Sequence, residues 1–389
     1  MSTAAISPTQ TNWREEWFEF EDATYLNLAG ESPMPKTALR AVQAAIADKK
    51  YPHHRPDSVF YEVPDRIRRN IAQLIGGRPE EIAVTTGASA GTIAVAHGLD
   101  WKPGDEIITA AREFPLQYTT WKPMEQRAGI KLKIVEPRER FLTADDLIAA
   151  ITPKTKLISA SMTRFDDAVM LDGKKLAAAC HAQGALLLLD VSQNCGAIPL
   201  DVRELGADFL VCAGYKWLLG PFGTGFFWIK HELLAQVRPD AFYWMALPES
   251  HNFANLNFAD PKPAHSAKRW DAPEWASHFN FNLVGMDASL EFVLRLGTET
   301  VEKHNRGLIE FMFERLPKDR CVPASPLDAA RRGPYGCFAA RSKEKTAELY
   351  QKLRKENVIV SLREGNIRVS PHLYNTERDI DRLISVITA

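Results

Sequence analysis

Residues 185–193 read Ala-Leu-Leu-Leu-Leu-Asp-Val-Ser-Gln, an unbroken apolar run that ends in a carboxylate. Such a run predicts a short strand that is buried on both faces of a sheet. Similar runs occur at 81–85, 106–109, 131–135, 156–159 and 209–212. Between them, helical patterns with apolar residues three and four positions apart occur at 88–99, 142–151 and 174–183. This alternation predicts an α/β fold with a mainly parallel sheet covered by helices.

The sequence changes character after about residue 240. Residues 241–281 are rich in aromatic side chains and carry little strand pattern, which predicts a long ordered loop that packs on another surface or lines a site. A helix is predicted from Leu283 to Leu296, followed by extended and helical segments typical of a smaller α+β domain. We therefore predict an N-terminal arm at 1–24, a large domain at 25–270 and a small C-terminal domain at 271–389.

Composition excludes several classes of protein. The 389 residues include 48 Lys and Arg against 49 Asp and Glu, so a net charge of -1 gives no electrostatic reason to bind nucleic acid or an anionic membrane. Five widely spaced cysteines without a C-x-x-C pair argue against a disulfide framework and a zinc site, and His53-His54 lacks a third ligand at metal spacing. No secretory signal or membrane-length apolar run is evident. We expect a cytoplasmic protein with a small-molecule partner and no metal.

Two charged residues stand where the predicted parallel strands end, and ligands bind at that edge of such a sheet. Asp190 ends the run of leucines, and a buried carboxylate there needs a positive partner such as a protonated pyridine, or else caps the following turn. Lys216 follows the strand 209–212 within apolar and glycine residues. Desolvation would lower the pKa of this amine and make it nucleophilic, although a snorkelling lysine is the alternative.

The segment Gly87-Ala-Ser-Ala-Gly91 allows two functional interpretations. It is a turn that opens a helix, and the free amides of a helix N-terminus suit a phosphate, although an ordinary helix start rich in small residues is the alternative. It also matches G-x-S-x-G, the nucleophile elbow of α/β-hydrolases, with Ser89 as the nucleophile. A hydrolase elbow normally follows several strands, whereas residues 1–80 offer mostly helix and loop and no HGGG motif occurs. Both interpretations remain open at this point, with the phosphate site favoured.

Taken together, the order and spacing of these residues resemble the class V aminotransferase family of pyridoxal phosphate (PLP) enzymes, which includes cysteine desulfurases, selenocysteine lyases, kynureninase and isopenicillin N epimerase. The resemblance extends from Tyr25 to Thr376 and implies PLP fold type I and a homodimer. It implies that Lys216 binds the cofactor as a Schiff base, that Asp190 pairs with the pyridine nitrogen and that Gln193 contacts the phenolic oxygen.

The same resemblance implies the remaining contacts. The backbone amides of Ala88 and Ser89, with the Ser89 hydroxyl, would hold the phosphate with help from Tyr215, where relatives often have histidine. Phe114 would stack on the cofactor, unless it is a plain core phenylalanine. Arg368 would bind the α-carboxylate of an amino acid substrate, a role that its bidentate fork suits; taken alone, an arginine on a strand is usually solvated or ion-paired.

Three departures from the family pattern bear on the reaction. Desulfurases carry a nucleophilic cysteine shortly before the carboxylate arginine, but residues 338–389 contain none, so we do not expect a desulfurase that acts through a persulfide. Arg269-Trp-Asp-Ala-Pro-Glu-Trp275 lacks the threonine that in relatives reaches the neighbouring subunit's phosphate. Arg164 stands where desulfurases have an asparagine near the cofactor.

The resemblance therefore predicts an enzyme that transforms an amino acid. An aminotransferase is favoured, with a C–S or Cβ lyase or an epimerase as alternatives, because pocket geometry decides the fate of the deprotonated substrate. Two hypotheses of a different class are the hydrolase on Ser89 and a non-catalytic sensor that binds PLP.

Overall fold

A computed structural model describes residues 12–56, 58–248, 250–252, 260–271 and 281–389. The strands are β1 (Thr24–Tyr25), β2 (Ile82–Thr85), β3 (Glu106–Ala110), β4 (Lys131–Val135), β5 (Thr155–Ser161), β6 (Leu186–Asp190), β7 (Phe209–Ala213), β8 (Gly225–Ile229), β9 (Cys321–Pro323), β10 (Gly336–Ala340), β11 (Val358–Ile359), β12 (Ser361–Arg363) and β13 (Asn366–Val369). The α-helices are α1 (Lys36–Asp48), α2 (Val59–Ile75), α3 (Ala88–Gly98), α4 (Leu116–Thr119), α5 (Lys122–Ala128), α6 (Ala144–Ile148), α7 (Gly173–Ala182), α8 (Val202–Leu205), α9 (Phe281–Leu296), α10 (Thr298–Arg315), α11 (Lys343–Lys355) and α12 (Glu377–Thr388).

Seven strands form the central sheet in the order β2-β8-β7-β6-β5-β3-β4. The five strands from β7 to β4 in this order run parallel, whereas β8 is antiparallel to both of its neighbours. The mainly parallel α/β fold is therefore confirmed. The sequence interpretation did not identify β8, whose Gly-Phe-Phe-Trp-Ile directly follows the glycine-rich segment after Lys216. The helix predicted at 142–151 is also too long, since Thr143 caps α6 and the helix ends at Ile148.

Alternating side chains of β6 explain why its leucines form an unbroken apolar run. Leu187 and Leu189 pack into one hydrophobic layer, and Leu188 packs into the layer on the opposite face of the sheet. Residues two apart on a strand share a face, so Asp190 continues the row of Leu188. That layer also contains Val95 of α3. The strand therefore delivers the Asp190 carboxylate to the face of the sheet that α3 covers.

The C-terminal region builds a second, antiparallel sheet in the order β12-β13-β10-β9. The smaller α+β unit is confirmed, with α10, α11 and α12 packed around a core of its own. Contacts cross the boundary predicted at residue 270, because β1 pairs with β11 and α9 packs on α1 and α2. The division into an arm and two domains remains a prediction.

Some sequence predictions fall partly on residues outside the described ranges. In the aromatic segment 241–281 these are Phe253, Phe258, Trp275 and Phe279, and of the arm predicted at 1–24 the structure describes 12–24. Trp270 lies within the described part and meets Phe227 edge to face, with ring centroids 5.7 Å apart. Within the described ranges, no helix combines the length and apolarity that a bilayer crossing requires.

Candidate active site

The ends of β6 and β7 bring Asp190 and Lys216 to one edge of the central sheet. These strands are parallel neighbours, with Asp190 in register with Val211, so the segments that follow them leave at the same side. The Asp190 carboxylate is buried and accepts a hydrogen bond from the backbone N–H of Ser192 at 2.8 Å. The predicted placement of both residues at the carboxyl ends of neighbouring strands is consistent with this topology.

The Lys216 amine is held between aromatic rings and charged groups. Its Nζ lies 5.4 Å from the centroid of the Phe114 ring and 5.7 Å from that of Tyr215. Burial lowers the pKa of Lys216, Asp190 opposes this effect, and the positive charge of Arg368 reinforces it. A lowered pKa increases the neutral, nucleophilic fraction of the amine at a given pH, which is the property that carbonyl chemistry at a lysine requires.

The N-terminus of α3 has room for an anion. No side chain caps this end of the helix, so the first-turn amides have no cap partner, and Ser89 is exposed. The capping residue Gly87 has φ +149°, and a Cβ built there would meet no atom within 4 Å. A Cβ at Gly225 would instead lie 2.6 Å from the Gly87 Cα, so glycine at this position of β8 lets the two backbones approach. The open space before Ala88 and Ser89 fits a phosphate group.

The Gln193 side chain is fixed at both ends. Its Nε2 donates to the Ala29 carbonyl at 3.0 Å, and its Oε1 accepts a hydrogen bond from the Trp217 indole at 2.9 Å. One amide hydrogen is left for a further acceptor, as the predicted contact with a phenolic oxygen requires. Sequence analysis missed Trp217, and its position directly after Lys216 was the available signal.

Phe114 is 40% exposed and is therefore not a core phenylalanine. Its ring meets Phe165 edge to face at 5.6 Å. The preceding residue anchors the segment, because the buried Glu113 carboxylate accepts from the Ser161 amide at 3.0 Å and from the Ser161 hydroxyl at 2.6 Å. Burial raises the pKa of Glu113.

Tyr215 is the predicted phosphate contact for which the structure offers least support. Its ring stacks on Phe222, with centroids 4.5 Å apart, and its backbone carbonyl accepts from the amide and hydroxyl of Ser32. In the described part of the chain no hydrogen bond links its hydroxyl to Ala88 or Ser89. Its phosphate role stays a prediction.

Arg368 is a buried cation with spare hydrogen-bonding capacity. It is 2% exposed, so the solvated surface arginine considered above is excluded. Its Nη1 donates to the Phe165 carbonyl at 3.1 Å and its Nη2 to the Ser361 hydroxyl at 3.5 Å, while Nε has no hydrogen-bond partner among the described residues. No carboxylate within the described ranges forms an ion pair with it, and burial lowers its pKa. This environment favours an anionic ligand.

Arg164 is as buried as Arg368, but neighbouring carboxylates of the protein neutralise its charge. Its guanidinium lies 3.3 Å from the Asp166 carboxylate and 3.5 Å from that of Asp167, and it donates to the Arg112 carbonyl at 3.0 Å. Burial and the neighbouring Asp166 raise the pKa of Asp167 to about 6. The arginine that departs from the desulfurase pattern therefore already has its counter-ions.

The rival chemistries find little support among the described residues. No histidine there hydrogen-bonds to Ser89, as an elbow nucleophile would need. All five cysteines are buried free thiols. Burial raises the pKa of Cys212 and of Cys337, the cross-strand neighbour of Arg368, so neither thiol is activated.

Comparison with known proteins agrees with this geometry. The family model "Aminotransferase class-V" matches residues 24–383. The chain is 25% identical to an uncharacterized aminotransferase, YcbU, of Bacillus subtilis over 97% of both proteins, and 26% identical to isopenicillin N epimerase of Streptomyces clavuligerus over 94% of both. The structure of the cystine C–S lyase C-DES in complex with its product cysteine persulfide superimposes with a TM-score of 0.83 at 23% identity, covering 94% of this chain and 97% of the lyase.

That structural likeness confirms the expected fold type I architecture, and the family match confirms the resemblance stated from sequence. Enzymes of this family depend on PLP, and the open helix N-terminus, the lysine of lowered pKa and the buried carboxylate beside it fit that cofactor. The chain belongs to the class V aminotransferase family of PLP-dependent enzymes.

Proposed function

We propose that Lys216 holds PLP and that Arg368 binds the α-carboxylate of an amino acid that this enzyme transaminates. The observation that carries the proposal is that the buried Arg368 guanidinium has no counter-ion among the described residues. Its positive charge adds to the effect of burial in lowering the pKa of Lys216. An anionic substrate group supplies the missing counter-charge and places the rest of the substrate near the Lys216 amine.

PLP, when bound, supplies an electron sink for the Cα of an attached amino acid. Lys216 takes the Cα proton as a base and can return it, because its amine has a pKa lowered towards the working range. The buried Asp190 carboxylate stabilises positive charge at the pyridine nitrogen. The free amide hydrogen of Gln193 donates to the phenolic oxygen, and the Ala88 and Ser89 amides hold the phosphate.

A C–S lyase is the second candidate. The structural neighbour C-DES is a cystine C–S lyase. β-Elimination needs no thiol of the enzyme, because the electron pair released at Cα expels the β-substituent directly. Sulfur transfer through an enzyme persulfide is disfavoured, because all five cysteines are buried. Transamination and elimination both begin with proton removal by Lys216, and they differ in whether a β-substituent leaves.

We also propose that the enzyme works as a cytoplasmic homodimer. Free buried cysteines suit a reducing compartment. Exposed large apolar side chains offer surface for a subunit contact; they include Phe18, Ile46, Tyr51 and Phe222. Light scattering of the holoenzyme would give the molar mass, and a monomer at working concentration would contradict the dimer.

The test of the proposed function is the visible spectrum of the purified holoenzyme before and after borohydride, and then with a panel of amino acids. We expect a yellow absorbance band from PLP that is bound covalently through Lys216. Borohydride should bleach this band, and Lys216→Ala should not form the covalent linkage. Conversion to the aminated cofactor indicates transamination, whereas release of pyruvate together with ammonia, or of sulfide, from a β-substituted amino acid indicates the lyase. A protein that takes up no PLP, with activity that survives Lys216→Ala and is lost in Ser89→Ala, would overturn the proposal in favour of a hydrolase. PLP binding without turnover of any amino acid would indicate a sensor.

A further inference from the structure

A second arginine, Arg363, lies on the same face of the small sheet as Arg368. Strands β12 and β13 pair so that Ser361 is opposite Arg368 and Arg363 is opposite Asn366. Directly opposite residues share a face, and residues two apart on one strand share it too. The two arginines are therefore diagonal neighbours, with Cα atoms about 7–8 Å apart.

The turn between these strands fixes that relationship. Its two central residues, Glu364 and Gly365, have φ of 49° and 84°. Positive φ at both positions is typical of a type I′ turn, the tight connection whose twist matches that of the hairpin strands. Arg363 is consequently held at the last pair before the turn, in defined register with Arg368.

This face of the sheet borders the active site. Arg368 donates to the Phe165 carbonyl, and Asn366, the cross-strand partner of Arg363, donates to the Asp166 carbonyl at 2.9 Å. The ring of Phe165 in turn contacts Phe114, the aromatic neighbour of the Lys216 amine. Burial is the main cause that lowers the pKa of both Arg368 and Lys216, and the positive charge of Arg363 adds to it, which agrees with a position near both.

Arg363 has no counter-ion in the described part of the chain. Its only hydrogen bond joins Nη1 to the carbonyl of its own neighbour Leu362 at 2.9 Å, and the side chain is half-buried. One α-carboxylate can satisfy Arg368 but leaves the charge of Arg363 unmatched. Arg164, by contrast, lies in the same region and is paired with two aspartates.

We propose that Arg363 binds a second carboxylate, so that the enzyme prefers a dicarboxylic amino acid or the corresponding 2-oxo acid. The α-carboxylate would bind Arg368 and the distal carboxylate Arg363, each arginine offering a planar pair of donors. This inference rests on the function proposed above for Lys216 and Arg368.

The test compares two unreactive probes of equal carbon number, succinate and butyrate, by titrating the visible absorbance of the holoenzyme. We expect succinate to bind at least about tenfold more tightly than butyrate. Arg363→Gln should weaken succinate binding to the level of butyrate and leave butyrate binding unchanged. Arg378→Gln, at an exposed arginine on α12, is the matched control and should change neither. Amino acid substrates should behave in the same way. The unaltered enzyme should bind glutamate or aspartate more tightly than glutamine or asparagine, and of the two variants only Arg363→Gln should lose this preference.

Two results would overturn the inference: equal binding of succinate and butyrate by the unaltered enzyme, or an equal loss of both in Arg363→Gln. Either result leaves the proposed function intact if butyrate binding still depends on Arg368. Failure of the proposed function looks different, because then neither probe nor any amino acid would perturb the absorbance of bound PLP. Thermal unfolding of Arg363→Gln checks that the half-buried substitution leaves the fold unchanged.

Discussion

Replacing Arg368 by glutamine is expected to weaken carboxylate binding strongly while leaving the folded protein about as stable as before. The guanidinium is almost completely buried, yet its two hydrogen bonds go to neutral acceptors at 3.1 and 3.5 Å, and Nε has none. A buried charge with incomplete partners costs free energy, so its removal offsets the loss of those two bonds. If Arg368 served only the structure, its replacement would instead destabilise the protein and leave carboxylate binding unchanged.

The magnitudes follow from the bonds gained and lost. A bidentate contact with a carboxylate makes two charged hydrogen bonds, together about 3–6 kcal/mol, and a neutral bond from the glutamine amide recovers about 1 kcal/mol. The net loss is roughly 2–5 kcal/mol, or about 30- to 5,000-fold in the dissociation constant. The hydrogen bonds from Arg368 to Phe165 and Ser361 contribute about 1 kcal/mol each, which the relief of desolvation largely cancels. We expect the free energy of unfolding to change by less than about 1 kcal/mol.

Arg332 provides the matched control. It is also buried, but it donates at 2.8 and 2.9 Å to the carbonyls of Pro326 and Leu327, and its Nη2 lies 3.8 Å from the Glu310 carboxylate. Arg332→Gln should destabilise the protein by about 1–3 kcal/mol, because it leaves those carbonyls without this donor, and should not change ligand binding.

Urea unfolding of both variants gives the stabilities, and absorbance titration of the holoenzyme with butyrate gives the affinities. The reasoning is refuted if Arg368→Gln destabilises as much as the control and binds butyrate as tightly as the unaltered enzyme. Arg368 would then be a structural residue, and another group would hold the substrate.

Three further predictions concern residues around the site. Burial lowers the pKa of His372 from 6.5 to about 3, so the folded state favours the neutral ring and the free energy of unfolding falls as pH drops below 6.5. Urea unfolding should show that this residue costs about 3 kcal/mol of stability at pH 4.5. The loss should be absent in His372→Phe. Trp217→Phe puts a smaller aromatic ring in place of the buried indole and removes the donor that orients Gln193, so PLP affinity, measured by titrating the apoenzyme, should fall about tenfold while the variant still folds. Gly225→Ala would drive a methyl group against the Cys212 carbonyl, and both PLP affinity and melting temperature should fall.

The sequence predicts well those features that depend on neighbours along the chain. The leucine strand was predicted to within one residue at each end. The prediction succeeded because an unbroken apolar run of this length is typical of a strand that is buried on both faces of the sheet. Asp190 and the segment after β7 then lie at the same edge of the sheet, because parallel neighbouring strands end at one edge. The helix predicted at 142–151 failed at its ends because apolar spacing does not reveal where a cap such as Thr143 starts a helix or where it stops.

Other features of the fold and the site depend on contacts between distant parts of the chain, and the local sequence carries no pattern that predicts them. The hydrogen bond from Trp217 to Gln193 joins residues 24 positions apart, and its effect is to fix which end of an amide faces outwards. The strand β8 was missed for a related reason, since it reverses direction between β7 and β2 and so departs from the alternating β-α pattern. Sequence spacing alone cannot report an antiparallel insertion of this kind.

Arg164 and Arg368 show most clearly why residue identity is insufficient to locate a binding site. Both are arginines buried beside the same segment, and sequence gives each a possible place near the substrate. Only the fold reveals that Asp166 and Asp167 compensate the first charge, whereas the second donates to neutral acceptors and forms no ion pair among the described residues. Burying a cation without a counter-ion disfavours the folded state, and an anionic ligand recovers that free energy on binding. The uncompensated charge is therefore the reason for proposing Arg368, and not Arg164, as the arginine that binds a substrate carboxylate.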